Sequence, residues 1–383
     1  MESLLIKNFK CFNEASINLN KLTIFAGANG NGKSTAIQSL LYLRRTIEHC
    51  GKWNSSKNKE YYEYNDHNGL NVELNESYCL ALGTSESVLP LNSSEVTINI
   101  GIISGEEKFN VCYDVSDKTE LYLTPGDVVN NTSYYSSIFK QSFYYLNAER
   151  FGPRVKQSVK FYDYPNTGYK GEFTAQLLGD TSFSYKFKVP NSKKFGNIKS
   201  ARIEQQTNAW LDFILPGVNI TASYDANLMT AQIKVSNKFT NGEPVFTTNI
   251  GFGISYVLPI IVTGLIADEN SYFIVENPEA HLHPSAQSKI GEFISIIAMS
   301  GVKVIVETHS DHIMNGIQVA VAKKKIDFKD VTINYFSNNP KLNQPEVSSI
   351  SINEKGELSL WPDGFFDQSQ KDYAKLLNLR KNG

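Results

Sequence analysis

The sequence predicts an α/β protein: a nucleotide-binding domain with a parallel sheet core, an antiparallel β lobe and an inserted α+β subdomain. Three observations carry the prediction. The first is a glycine loop at 27–34 set between an apolar run and a helical pattern. The second is a series of short apolar runs alternating with helical patterns over 246–336, the texture of a parallel sheet covered on both faces. The third is period-two alternation over 50–146, as in Val96-Thr97-Ile98-Asn99-Ile100 and Phe109-Asn110-Val111-Cys112-Tyr113. Such alternation reads as half-buried antiparallel strands.

The loop, Gly27-Ala28-Asn29-Gly30-Asn31-Gly32-Lys33-Ser34, fits the phosphate-binding template G-x-x-x-x-G-K-[ST] at every fixed position. Leu22-Thr23-Ile24-Phe25-Ala26 before it has the length and β-branched content of a buried strand, and Ser34 to Leu43 after it continues as a helix. Glycines let successive N–H groups point inward at phosphate oxygens, helped by the positive end of the helix. The backbone of Gly27, Asn29, Gly30, Asn31 and Gly32 and the first helical turn to Thr35 would line ATP. Lys33 would reach the β and γ phosphates, and the Ser34 hydroxyl would ligate Mg²⁺. A glycine-rich turn that binds nothing is the bland alternative. All four fixed positions, both flanks and the matches downstream favour the nucleoside triphosphate.

Composition narrows the class. The chain has 383 residues, 41% of them hydrophobic and 20% charged, the profile of a globular protein long enough for two core-forming units or one domain with a large insertion. Net charge is −2, so no global basic field announces nucleic acid. Lys193-Lys194 and Lys323-Lys324-Lys325 are the obvious basic clusters, and solvated helix ends explain such runs more often than phosphate contacts. Cys11, Cys50, Cys79 and Cys112 form no C-x-x-C pair, which argues against a zinc site and a secreted disulfide scaffold and for a reducing cytoplasm. The start lacks a signal-peptide pattern, and the longest apolar run, 254–267, is too short to span a bilayer. No membrane is expected.

Along the chain, 1–150 reads as an N-terminal lobe holding the glycine loop and the antiparallel region. The stretch 151–245 is irregular, with one helix at 201–215 stopped by Pro216-Gly217 and strands at 219–224 and 231–235, an inserted subdomain or arm. The C-terminal lobe, 246–383, gives helices at 254–267, 285–299 and 311–322 and strands at 272–275, 303–306 and 331–336. No internal repeat and no heptad region is present.

A phosphate loop needs a strand whose end presents an acid to Mg²⁺. Tyr272-Phe273-Ile274-Val275-Glu276-Asn277-Pro278-Glu279 supplies one, with Glu276 at the metal-shell position. The next strand ends Val306-Glu307-Thr308-His309-Ser310, placing His309 at the same carboxyl edge, where open α/β sheets bind ligands. There a histidine can hydrogen-bond a γ-phosphate or the attacking water; alone it would read as a strand end with no task.

These segments resemble the ABC-type ATPases that include SMC proteins and the OLD (overcoming lysogenisation defect) nucleases, a group often classed among AAA ATPases. Leu4-Leu5-Ile6-Lys7-Asn8-Phe9-Lys10-Cys11-Phe12 resembles the group's opening strand. Glu276 to Pro284 resembles its Walker B and D-loop segment, and Glu307-Thr308-His309-Ser310 its switch-histidine segment. Leu360-Trp361-Pro362-Asp363-Gly364-Phe365-Phe366-Asp367-Gln368 resembles a tail found in small ATPases encoded with bacterial phage-defence genes. The resemblance spans both ends of the chain and is weakest over 50–245. It implies an ABC-type fold in which two subunits sandwich two nucleotides, each site completed by a partner motif. Gly251-Phe252-Gly253-Ile254-Ser255 lies where that motif should be, with Gly253 and Ser255 as phosphate contacts, but departs from the usual Ser-Gly-Gly order. A plain strand-to-helix turn accounts for it equally. Asn147 to Arg154 resembles the segment linking the lobes, making Arg150 either a nucleotide-sensing side chain or a buried partner of an acid.

One departure bears on chemistry. The group usually carries a glutamate where this chain has Asn277, and asparagine can hold a water but cannot take its proton. Hydrolysis is then slow, or Glu279 takes over. His281 and His283 form an H-x-H turn that is weak evidence for a metal and is assigned none.

The leading expectation is a homodimeric or higher-order ATPase switch that controls a separate effector, a nuclease in an antiphage system. The alternatives are an SMC-like repair ATPase that binds DNA, disfavoured by the missing heptads, and a non-hydrolysing ATP-binding scaffold suggested by Asn277. An OLD-type enzyme with its own nuclease ranks last, because only about fifty residues follow 336.

Overall fold

The computed structural model describes residues 2–53, 60–64, 70–91, 93, 95–115, 117–133, 136–196, 198–237, 243–339, 342–360, 362 and 368–381. Its strands and helices follow in chain order. β1 (Glu2–Phe9), β2 (Phe12–Leu19) and β3 (Leu22–Gly27) lead into α1 (Lys33–Cys50). Next come β4 (Gly51–Trp53), β5 (Tyr62–Tyr64), β6 (Val72–Glu73), β7 (Thr97–Ser104), β8 (Glu107–Asp114), β9 (Tyr122–Asn130) and β10 (Phe143–Leu146). The middle of the chain gives α2 (Thr174–Gly179), α3 (Thr181–Lys186), α4 (Ile203–Ile214), β11 (Val218–Asp225), β12 (Thr230–Asn237) and β13 (Val245–Phe246). The last third alternates: α5 (Gly253–Ile266), β14 (Tyr272–Glu276), α6 (Pro284–Met299), β15 (Lys303–Glu307), α7 (Asp311–Ala322), β16 (Val331–Asn338), β17 (Pro345–Ile350) and α8 (Gln368–Lys381).

The central sheet runs β10-β14-β15-β3-β16-β17. Its first five strands are parallel and β17 closes one edge antiparallel. The strand interiors are apolar and buried on both faces, as the continuous Val/Ile/Phe runs require. Alternate side chains feed two cores. Leu22, Ile24, Phe273, Val275, Val304 and Val306 face one, packed by α4, α5, α6 and α7, while Phe25, Tyr272, Ile274 and Ile305 face the other, packed by α1 and the antiparallel lobe. The two faces are thus committed to different partners by a period of two.

A second sheet, β2-β1-β7-β8-β9-β6, is antiparallel. It takes in the chain's opening strands β1 and β2, so the first hairpin belongs to the lobe and only β3 enters the parallel core. Arg44 of α1 holds the segment 138–141 that leads into β10. It is fully buried and donates to the carbonyls of Ile138, Lys140 and Gln141 at 2.7, 2.5 and 3.0 Å and to Glu48 Oε1 at 2.8 Å.

The stretch 151–245 is more ordered than its sequence texture indicates. The short helices α2 and α3, six residues each, escape periodicity because they complete too few turns to show it. α4, β11 and β12 share the core of α5 and α6, with the Trp210 and Phe293 rings 4.9 Å apart. Lys193 also corrects an expectation. It is buried, and its ammonium caps the end of α5 by donating to the carbonyls of Gly264 (3.1 Å) and Ala267, so it offers no charge to a nucleic acid. Lys323 and Lys325 pair with Glu292 at 3.6 and 2.9 Å, as a helix end would. Among the described residues no helix is long and apolar enough to cross a membrane. Of the tail resemblance at 360–368, positions 361 and 363–367 lie outside the described residues.

Candidate functional site

Four strand ends converge at the carboxyl edge of the sheet: Gly27 on β3, Glu276 on β14, Glu307 on β15 and Phe336 on β16. Inserting β15 between the loop strand and the acidic strand brings both acids beside the loop. Gly27 adopts φ 135°, and a Cβ there would lie 2.1 Å from the Phe336 carbonyl oxygen. No other residue lets the loop leave β3 so close to β16. Gly32, at φ 90°, caps α1 in the left-handed region, and a Cβ would strike the Phe12 ring at 2.7 Å. These two positions hold the loop open for Ser34 and Thr35 to start the helix.

A cavity of about 400 Å³ opens above the edge. It is lined by Asn29, Gly30, Gly32, Lys33, Ser34 and Thr35 from the loop, by Glu276, Asn277, Glu307 and His309 from β14, β15 and their following turns, and by Lys10, Cys11 and Ala148. Most of the expected site residues therefore meet in one place. Asn31 instead lines an adjoining cleft of about 710 Å³ with Lys10, Cys11, Leu91 and Gln344, and its side-chain amide donates to the Phe336 carbonyl at 3.3 Å. Gly253, Ser255 and Glu279 are not among the lining residues of either.

Lys33 is only 3% exposed, and its ammonium donates to the carbonyls of Gly27 and Ala28, both at 2.9 Å. Its side chain thus lies folded over its own loop, with the ammonium at the strand end and away from solvent. The Ser34 hydroxyl donates to Glu307, at 3.1 Å to Oε1 and 3.3 Å to Oε2. Glu276 Oε1 instead accepts the Tyr145 hydroxyl at 2.7 Å. Glu276 and Glu307 are direct register partners on adjacent strands.

Burial pushes both carboxyls above the usual range. For Glu307, at about 7, the nearby Glu276 adds to the rise while Lys33 and the Ser34 hydrogen bond oppose it. For Glu276 the Tyr145 hydrogen bond and the Arg150 charge oppose the rise. Burial likewise lowers Lys33, against the pull of Glu307. It lowers His309 too, assisted by the charge of Lys33, so that imidazole is neutral at pH 7.

The turn after β14 is held from three sides. Arg150, buried, donates to the Glu276 carbonyl at 2.6 Å, the Asn277 carbonyl at 2.7 Å and the Asn147 carbonyl at 3.0 Å. It braces backbone and, among the described residues, makes no ion pair with an acid; burial drops it to about 10. Asn277 sits at φ 44°, a left-handed position asparagine tolerates, and its N–H donates to the Glu307 carbonyl at 2.9 Å. Its Oδ1 is buried with no hydrogen-bond partner among the described residues. Glu279 turns toward the switch-histidine segment, accepting from the Thr308 hydroxyl and the His309 N–H, both at 2.8 Å. Glu279 therefore sets the position of His309 and lies off the cavity wall.

α5 begins at Gly253 with no side-chain cap, and Ser255 lies in its first turn, half-buried. That end packs on the same turn: the His281 ring stands 4.5 Å from Tyr256 and 5.3 Å from Phe252, which is exposed. Arg150 lies over the other side of this cluster, 5.3 Å from the Tyr256 centroid. His281 is thus an aromatic neighbour, and among the described residues no three His, Cys, Asp or Glu side chains group as a self-sufficient metal cage.

Sequence reasoning passed over Lys10, Cys11, Ala148 and the role of Glu307. An acid at the carboxyl end of a strand flanking the loop strand was a usable signal for Glu307.

Residues 22–315, more than half of the chain, match the family described as "AAA domain, putative AbiEii toxin, Type IV TA system". Residues 326–376 match a family of unknown function, DUF3696. The Old nuclease of Escherichia phage P2 is 23% identical, over 92% of this chain and 65% of its own length, so the chain spans about 65% of that relative. Among solved structures, the Smc head domain with an extended coiled coil bound to the C-terminal domain of ScpA, from Pyrococcus furiosus, aligns with a TM-score of 0.50 at 12% identity. That alignment covers 99% of this chain and 100% of the other, and it shows the fold. A second SMC head, bound to the C-winged helix domain of ScpA, aligns with a TM-score of 0.49 at 12% identity over 91% of this chain and 97% of that one. With a phosphate loop, a strand-end acid and a strand-end histidine on one sheet edge, and a family match across all three, the chain belongs to this AAA-domain family and has the ABC-type fold of the SMC heads.

Proposed function

We propose that the chain binds Mg·ATP in the loop cavity, hydrolyses it slowly, and uses the nucleotide state to pair two copies and so control a separate effector. A nuclease acting in phage defence is the effector proposed; the names of the matched family and of the phage relative support that setting. The observation that carries the reading is the division of parts. Lys33, Ser34, Glu276, Asn277 and His309 share one cavity, whereas the glycine-led start of α5 lies outside it with no side-chain cap. A helix N-terminus set outside the loop cavity of its own subunit suits a phosphate presented by a second copy.

The donors fit the cation. Ser34 and the two carboxylates are hard oxygen groups, and Mg²⁺ typically takes one or two carboxylates plus substrate phosphates. When bound, Mg²⁺ would screen the charge of the β and γ phosphates. This chain's residues do the rest. Lys33 exchanges the Gly27 and Ala28 carbonyls for phosphate oxygens, and the adjoining cleft at Lys10, Cys11 and Asn31 receives the nucleoside end. The free Oδ1 of Asn277 can accept a hydrogen bond from a water without taking its proton. Neutral His309, fixed through its backbone by Glu279, can donate to the γ-phosphate. Missing general-base help, worth about 10²–10⁴-fold, makes the chemistry slow.

Sedimentation of the wild-type chain with Mg²⁺ tests the switch. A non-hydrolysable ATP analogue should raise the associated fraction above that with ADP, because only a γ-phosphate adds a contact in the paired state. Equal association with both nucleotides would contradict the reading.

A further inference from the structure

Glu307 is 4% exposed, and its carboxylate accepts a hydrogen bond from the Ser34 hydroxyl, with both oxygens within 3.3 Å. Its backbone register partner is Glu276, so the two acids end adjacent parallel strands side by side. Glu276 is engaged by Tyr145, and among the described residues the Ser34 hydroxyl donates to Glu307 and not to Glu276. The cations facing the two acids are Lys33, which points at carbonyls, and Arg150, which donates to backbone. A cavity that places two carboxylates beside a loop built for phosphates collects like charges on both sides. A cation between them offsets that conflict.

We propose that Glu307 is a second cation-site carboxylate: it fixes the Ser34 hydroxyl so that its oxygen faces a divalent cation, and with Glu276 it forms a two-acid seat for that cation. This rests on the Mg·ATP reading above. The sequence template assigns one acid, at the end of β14; the structure gives the serine contact to the acid on the strand between. The bland account is that Glu307 merely sits favourably near the N-terminus of α1. In that case it contributes stability and nothing to cation dependence.

The two accounts separate in a titration of ATP with and without Mg²⁺ by calorimetry on the intact chain. Glu307→Gln keeps the shape and an acceptor oxygen but removes the charge. Ligand-orienting partners are typically worth 10–100-fold in metal affinity. The expected result is a Mg²⁺-dependent gain in ATP affinity reduced about tenfold or more, with Mg²⁺-free ATP affinity unchanged or slightly raised. Glu307→Asp, which keeps the charge, should restore part of the gain. Mn²⁺ binding in the presence of ATP, read by electron paramagnetic resonance, should weaken in step. A wild-type Mg²⁺ gain in Glu307→Gln would overturn the assignment alone. Equal weakening with and without Mg²⁺ would also overturn it, as would a Glu307→Asp variant no better than Gln. Wild-type protein that binds no ATP under either condition would overturn the underlying reading and the assignment with it.

Discussion

Removing the Lys33 side chain offers the most quantitative test of the loop. The ammonium makes two 2.9 Å bonds to the Gly27 and Ala28 carbonyls, and reaching a phosphate means exchanging them. Hydrogen bonds to a charged group are worth about 1.5–3 kcal/mol each, so the gross interaction is roughly 3–6 kcal/mol in either state. What ATP gains is the difference between charged phosphate acceptors and neutral carbonyls, together with the attraction of opposite charges. We take about 3 kcal/mol for this, which corresponds to roughly a 150-fold rise in Kd. Lys33→Met, which preserves length and packing without a donor, should therefore weaken Mg·ATP binding by about two orders of magnitude in calorimetric titration. The buried position adds a second expectation. Lys33→Ala should cost about 1–2 kcal/mol of stability in urea denaturation, because the carbonyls lose their partner. Binding of Mg·ATP to a folded Lys33→Met protein within threefold of wild type would refute the assignment.

Other changes address the remaining parts. Asn277→Glu should raise ATP hydrolysis at least tenfold in a phosphate-release assay; the gain falls short of a full general base because glutamate fits φ 44° less well than asparagine. No rise would mean that carboxylate supply at this position does not limit the rate. Glu279→Gln should lower hydrolysis less than His309→Ala does, since the amide keeps one of the two acceptors facing Thr308 and His309. A larger loss in Glu279→Gln would make Glu279 a participant in the chemistry. Arg44→Met should destabilise the chain by about 3–5 kcal/mol, because it strands three carbonyls and leaves Glu48 without its cation. Chemical denaturation within 1 kcal/mol of wild type would show that the lobe does not depend on this anchor.

How much of this was legible beforehand depended on how local the signal was. β3, β14, β15 and β16 were readable as apolar runs, and their polar ends pointed to one edge, since a parallel sheet puts such ends together. α6 and α7 were readable because their length sustains a helical period. α2 and α3 are too short for that, and the segment around them looked irregular. The membership of β1 and β2 in the antiparallel lobe was not readable either, because pairing of Glu2–Lys7 with 99–104 is a long-range choice. Within the site, residue identities were legible and partnerships were not. Ser34 meets Glu307 across 273 positions of sequence, and nothing near either residue distinguishes Glu307 from Glu276 as its acceptor. The burial of Lys33 was not legible, because lysine usually lies in solvent; it follows from its own loop, whose two carbonyls face inward. Arg150 could have paired with an acid or sensed a ligand, and only the fold shows it gripping the backbone that carries Glu276 and Asn277.

The central claim is that ATP joins two such cavities through the start of α5. The direct test is a photo-crosslinking amino acid at Ser255, with the captured peptide identified by mass spectrometry. With Mg²⁺ and a non-hydrolysable ATP analogue, the crosslink should form between two chains and land on the loop 27–35, and it should fade with ADP. A crosslink that never reaches the loop of a second chain, or that reaches it equally with ADP, would contradict the account.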